Sequence, residues 1–177
     1  MRGETQTRTV DEVALARAWL DWLAETRRGY VETLLGLSES NRRKDRGASF
    51  PSLEDIFLHI LDNNVWWLES IPQDRQKTNQ GVEGPLSHKD IQRAAKRVAK
   101  IDRDLAASLS PVRLTESYVV HGVEGNGKPF EMTVNLRTII WHLVEEELQH
   151  RGEMNALFWQ SDVDAPTRAW FSSPLAE

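Results

Sequence analysis

Apolar residues recur at helical spacing along four long stretches of the chain, and each stretch is bracketed by residues that start or stop helices. The first begins after Thr9, which makes a Thr-x-x-Glu capping box with Glu12. It carries Val13, Leu20, Leu23, Val31, Leu34 and Leu35 as far as Leu37, with Gly29 as a tolerated break. A polar, charged loop follows from Ser38 to Phe50. Pro51 and Ser52 open the second helix, Leu53 to Ile71, with Ser52 as N-cap and Asp55 completing the box. Leu53, Ile56, Phe57, Ile60 and Leu68 give this helix a strong apolar face. Leu58, Val65 and Trp66 put apolar surface elsewhere, the pattern of a helix packed between neighbours.

After Pro72, a polar stretch containing Gly81, Gly84 and Pro85 is long enough to cross the end of a bundle. Ser87 with Asp90 caps a third helix, His88 to Ser110, whose surface is rich in Lys and Arg and which Pro111 ends. The next segment, "VRLTESYVVHGVEGNGKPFEMTV", differs in kind: Val, Thr and Tyr are frequent and "EGNGK" is a turn signal, so it reads as a β-hairpin. A two-stranded hairpin is marginal alone and is expected to lie against the helices. Asn135 caps the fourth helix, Leu136 to Gln160, and the tail with Pro166, Trp170, Phe171 and Pro174 is expected to pack back irregularly. The pattern predicts an all-α protein: a four-helix bundle with a small β-hairpin insert before the last long helix, as one domain over residues 1–177.

Composition narrows the functional classes. The chain is 40% hydrophobic and 28% charged, an ordinary globular mixture, with no apolar run near the ~20 residues that span a bilayer. The first residues, "MRGETQTRTVDEV", lack the apolar core of a secretory signal, and the expected address is cytoplasmic. Cysteine is absent, which excludes disulfides, thiolate metal ligands and a cysteine nucleophile. The net charge of -5 argues against nucleic acid as a partner, and nothing suggests a membrane. The one basic cluster, "NRRKDR" from Asn41 to Arg46, reads as a solvated inter-helix loop rather than a phosphate site.

The chemistry concentrates in "HLVEEELQHRGEMNALFW", residues 142 to 159. Leu136, Ile139, Ile140, Leu143, Met154, Leu157 and Phe158 define one arc of this helix, and His150 falls inside it. Glu146 lies at the edge of the arc, about 40° from His150; Glu147 falls near its centre, and His142 lies further round. A buried ionised carboxylate needs a cation, or it protonates. A lone histidine on an apolar face is more often a hydrogen-bonded core residue than a ligand. A carboxylate and a histidine one turn apart, both turned inward, also fit a shared cation. His59, amid the apolar residues of "FLHIL" but off the strongest face of its helix, offers a third ligand; His88 and His121 read as surface residues. A ferritin-like di-metal centre needs a Glu-x-x-His pair from each of two helices, and "EDIFLH" supplies no second pair.

The segments "SLEDIFLHIL" and "WHLVEEELQHRGEM" resemble the DinB-like family, metal-binding four-helix bundles that include bacillithiol S-transferases and the mycothiol-dependent maleylpyruvate isomerase. The likeness runs from about residue 10 to 160. It implies that His59, Glu146 and His150 ligate one divalent metal ion, with Zn, Ni, Fe and Mn all compatible with imidazole and carboxylate. Many members carry histidine where this chain has Glu146, although glutamate also occurs there, notably in the isomerase branch. Two neutral imidazoles and one carboxylate leave a 2+ ion with one positive charge. Glu147 competes as a ligand or serves as a general base, and His142, Glu147 and Arg151 are the candidate supporting or substrate-contact residues. The resemblance further implies a homodimer and an enzyme of low-molecular-weight thiol chemistry, either S-transferase or isomerase, acting on an electrophilic small molecule. The alternative it leaves is a non-catalytic metal-binding module, stress-associated or mediating interactions.

Overall fold

Asp11 starts the first helix. Its carboxylate accepts hydrogen bonds from the amides of Val13, at 3.0 Å, and Ala14, at 3.1 Å, so α1 spans Glu12–Gly36. The cap expected at Thr9 is therefore displaced by two residues, because aspartate at position 11 satisfies the free amides of the first turn directly. The structure, a computed structural model, describes residues 11–73, 86–123 and 127–166; Thr9, the hairpin tip at 124–126 and the tail from 167 lie outside them.

The other three caps form as the sequence predicts. Ser52 accepts from the Asp55 amide and opens α3, Leu53–Val65; Ser87 accepts from the Asp90 amide and opens α4, His88–Ser108; Asn135 accepts from the Thr138 amide and opens α6, Leu136–Trp159. Three local features were not legible. The polar loop contains a short helix, α2, at Glu39–Arg42, capped by Ser38. The helix α3 continues to Ser70 as a π-helical segment, Trp66–Ser70. Pro111 does more than end α4, since it opens the short α5, Pro111–Leu114, behind the Ser110 cap. Proline lacks the amide proton that the first helical position would leave unpaired, and its fixed φ suits that position.

Strands β1, Ser117–Val123, and β2, Pro129–Asn135, pair antiparallel in a register that sets Gly122 opposite Phe130. The Phe130 ring lies across Gly122, where a Cβ atom would come within 2.3 Å of it, so any larger residue there would have to displace the ring. Val120 turns inward and is buried.

Helix α1 packs on α4 and α6, and α3 packs on the same two, so the four long helices form a bundle. One core cluster centres on Tyr30, Leu34, Ile56, Phe57, Met154 and Phe158. Another, towards the hairpin, gathers Val13, Leu20, Leu105, Leu114, Leu136 and Ile140. Leu58 and Val65 are buried, as expected of a helix with apolar residues on more than one side. The basic loop departs from expectation most at Arg42. Arg42 is 1% exposed, donates to Glu54 at 2.5 Å and lies 2.6 Å from His88 Nε2. Trp159, on the last turn of α6, is 61% exposed. Among the described residues no helix is long and apolar enough to cross a membrane.

Candidate metal centre

Helix α3 brings His59 to the seam with α6, which presents Glu146 and His150 one turn apart. Residues at that spacing lie one above the other on a helix. The Glu146 Oε2 atom stands 3.7 Å from His59 Nε2 and 3.6 Å from His150 Nε2, too far for good hydrogen bonds. One donor atom from each of the three residues lies within 4.8 Å of the other two. Ligand atoms around a tetrahedral ion with bonds of about 2.1 Å are about 3.4 Å apart, so small side-chain movements would bring these atoms to ligand spacing. The donor chemistry, two imidazoles and a carboxylate, suits a divalent first-row metal. His59 and Glu146 are each about one-third exposed while His150 is nearly buried, so one side of the cluster is open.

Burial and the neighbouring His150 ring push the His59 imidazole below its ordinary pKa, against the upward pull of Glu146. It is thereby favoured as the neutral lone-pair donor a metal requires. Phe50, at the end of the loop before α3, stacks on His59 with ring centroids 4.4 Å apart and meets His150 edge-on at 5.6 Å. Behind His150, Glu153 Oε2 lies 2.8 Å from Nδ1, and Glu153 accepts from the Ser49 hydroxyl at 2.6 Å. Burial tends to raise the Glu153 pKa, but the hydrogen bonds from Ser49 and His150 outweigh it and hold the carboxyl below the ordinary range.

Glu147 does not join this cluster. It is fully buried and accepts from Arg27 Nε at 2.8 Å, while the same guanidinium hydrogen-bonds Asp102 and reaches Asn64 at 3.4 Å. Arg27 thus ties α1 to α6, α4 and α3 at one point. Burial pushes the Glu147 and Asp102 carboxyls upward, against the downward pull of the Arg27 guanidinium that both share. Burial works against the charge on Arg27, but the two carboxylates prevail and raise its pKa. Glu147 Oε1 is buried and has no hydrogen-bond partner among the described residues, and the residue lines a narrow cleft with Ile60, Asn64, Leu143, Glu146 and His150. Arg151 turns to α1, its guanidinium 4.4 Å from the Trp22 ring centre and 5.4 Å from that of Tyr30. His142 is half-buried, edge-on to Trp67 at 5.0 Å. Neither belongs to the three-residue cluster.

Sequence reading passed over Arg27, Asp102, Glu153 and Ser49. A signal existed for the first two. Arg27 continues the buried stripe of Ala16, Leu20, Leu23, Tyr30 and Leu34, and Asp102 continues that of Ile91, Val98 and Leu105. A charged residue within such a stripe needs a buried partner.

No curated protein matches this chain. The family profile described as the DinB family matches residues 9–163, spanning all four long helices and the cluster between α3 and α6. A His/Glu/His group in this position fits a metal-binding member, and the chain belongs to the DinB family.

Proposed function

We propose that the protein is a divalent-metal-dependent enzyme of low-molecular-weight thiol chemistry, an S-transferase or isomerase acting on an electrophilic small molecule. The observation that carries this reading is the set of three ligand-type atoms from His59, Glu146 and His150, within 4.8 Å of one another and open on one side. Three protein ligands with an open position are the arrangement of a catalytic rather than a structural site. A bound divalent ion there supplies Lewis acidity that favours the thiolate of an incoming thiol near neutral pH.

The chain's own residues set the rest. His59 and His150 contribute neutral donors and Glu146 one negative charge, so the site retains positive charge towards an anionic sulfur. The chain has no cysteine, so the sulfur comes from the guest. Glu147, fixed through Oε2 by Arg27, lines the narrow cleft beside Glu146 and His150. Phe50 shields the His59 ring from water on one face.

The test is turnover. The purified protein, assayed with a panel of small thiols and electrophiles, is expected to show metal-dependent product formation that His150→Ala abolishes. The second reading, a metal-binding module without turnover, draws on the narrowness of the cleft between Ile60 and Leu143. Stoichiometric metal with no turnover for any thiol in the panel selects it.

A further inference from the structure

His150 has two ring nitrogens, and only one can face an ion shared with His59 and Glu146. The structure turns Nε2 to that side, 3.6 Å from Glu146 Oε2, and Nδ1 to the other, 2.8 Å from Glu153 Oε2. Glu153 lies one turn beyond His150 on α6 and faces the loop before α3. There it meets Ser49, whose hydroxyl donates to Glu153 Oε2 at 2.6 Å and whose amide donates to Oε1 at 3.3 Å. Three donor positions therefore converge on one carboxylate, which as an anion can only accept. Proton placement follows: Nδ1 carries the hydrogen and Nε2 keeps its lone pair.

We propose that Glu153, anchored by Ser49, is a positioning residue that holds His150 in the Nδ1–H tautomer and so presents Nε2 to a divalent ion at the His59–Glu146–His150 cluster. The proposal rests on the reading of that cluster as a metal site. The arrangement belongs to the general class in which a carboxylate behind a ligating histidine fixes its ring orientation and raises its basicity. Here the arrangement has a third member. Ser49 sits next to Phe50, whose ring packs on both imidazoles, so a single loop fixes the carboxylate behind one ligand and covers the face of the other. Glu146 Oε2, 3.6 Å from Nε2, is beyond a good hydrogen bond, so this acceptor does not hold a proton on Nε2.

The experiment has two readouts on the full-length chain. Long-range proton–nitrogen NMR of metal-free protein reports the His150 tautomer, and calorimetric titration with Zn²⁺ reports affinity. Wild-type protein is expected to show the Nδ1–H tautomer and to bind one equivalent of Zn²⁺. Glu153→Ala is expected to lose that tautomer preference and to bind about 10–100-fold more weakly. Glu153→Gln, whose amide oxygen still accepts from Nδ1–H, is expected to lose less, and Ser49→Ala to fall between wild type and Glu153→Ala. A merely structural tie between loop and helix would move thermal stability without moving the tautomer. Wild-type affinity in Glu153→Ala, with His150→Ala impaired, overturns the proposal and leaves the metal site standing. Absence of Zn²⁺ binding in the wild type overturns both. An Nε2–H tautomer in the wild type overturns the proposal whether or not Glu153→Ala folds.

Discussion

Arg27 on α1 and Glu147 on α6 are 120 positions apart in the chain and meet through a 2.8 Å hydrogen bond in the centre of the bundle. Asp102 from α4 shares the same guanidinium, so one cation faces two carboxylates out of reach of water. Removing the cation leaves uncompensated buried charge. Arg27→Met is expected to destabilise the fold by about 3–5 kcal/mol, whereas replacing all three members with apolar residues of similar volume is expected to recover most of that loss. Urea unfolding of the single and triple variants checks this. A loss below about 1 kcal/mol for Arg27→Met, the size typical of exposed pairs, would show that the network is not sealed.

Glu54 offers a pH handle away from the metal cluster. Burial tends to raise its pKa, but hydrogen bonds from Arg42, the Leu86 amide and Arg43 outweigh that and hold it below the ordinary carboxylate range. A carboxyl whose folded pKa is depressed binds fewer protons folded than unfolded. Its stabilisation is complete above the unfolded value of about 4.3 and is lost as pH falls through the lower folded value. Glu54→Gln is therefore expected to be clearly less stable than wild type at neutral pH, with the gap narrowing below about pH 4. Denaturant midpoints measured across that range decide it. A gap that stays constant into the acid range counts against the assignment.

The four-helix architecture and the hairpin were legible because both leave local marks. Ser52, Ser87 and Asn135 cap helices through their own side chains within three residues, and the strands alternate around a glycine-rich turn. His59, Glu146 and His150 were brought together in the reading by resemblance and i,i+4 spacing, not by periodicity, since His59 lies off the main apolar face of α3. The π-helical segment at Trp66–Ser70 has no comparable local signature; a hydrophobic run gives the same pattern whether the helix is regular or widened. Arg27 and Asp102 each left a mark, a charge within a buried stripe, but not the identity of the partner. Arg27 lies 120 positions from Glu147 and 75 from Asp102, and Ser49 lies 104 positions from Glu153; no local pattern reports a pairing at that range. Arg42 shows the same limit, because "NRRKDR" looks solvated until the Glu54 carboxylate is seen against it.

Metal binding to the folded state alone must raise its stability by mass action. With free Zn²⁺ at about one hundred times its dissociation constant, the expected gain is about 2.7 kcal/mol. It should appear as a concentration-dependent rise in melting temperature. His59→Ala and His150→Ala are expected to fold and to lose most of this response, since each removes one of three donors. A melting temperature that climbs equally with Zn²⁺ in wild type and in both variants would place the binding elsewhere.

Phe50 joins the loop to the site. Its ring stacks on His59 at 4.4 Å with a 29° tilt and touches His150 edge-on at 5.6 Å, so it restrains both imidazoles and screens them from water. It is half-buried, and truncation to alanine removes part of a side chain worth about 1.5–3 kcal/mol when fully buried. Phe50→Ala is accordingly expected to cost about 1–2 kcal/mol in stability. The more telling effect is kinetic. Loss of a restraint of about 1.4 kcal/mol at the site corresponds to a tenfold change in rate, so bound metal is expected to pass to a competing chelator about ten times faster with the stoichiometry unchanged. Val112→Ala, at a side chain 76% exposed at the start of α5, serves as the control and should leave release unaltered. Stopped-flow transfer to a coloured chelator measures both. Equal release rates in Phe50→Ala and wild type would mean that the ring packs beside the ligands without restraining them.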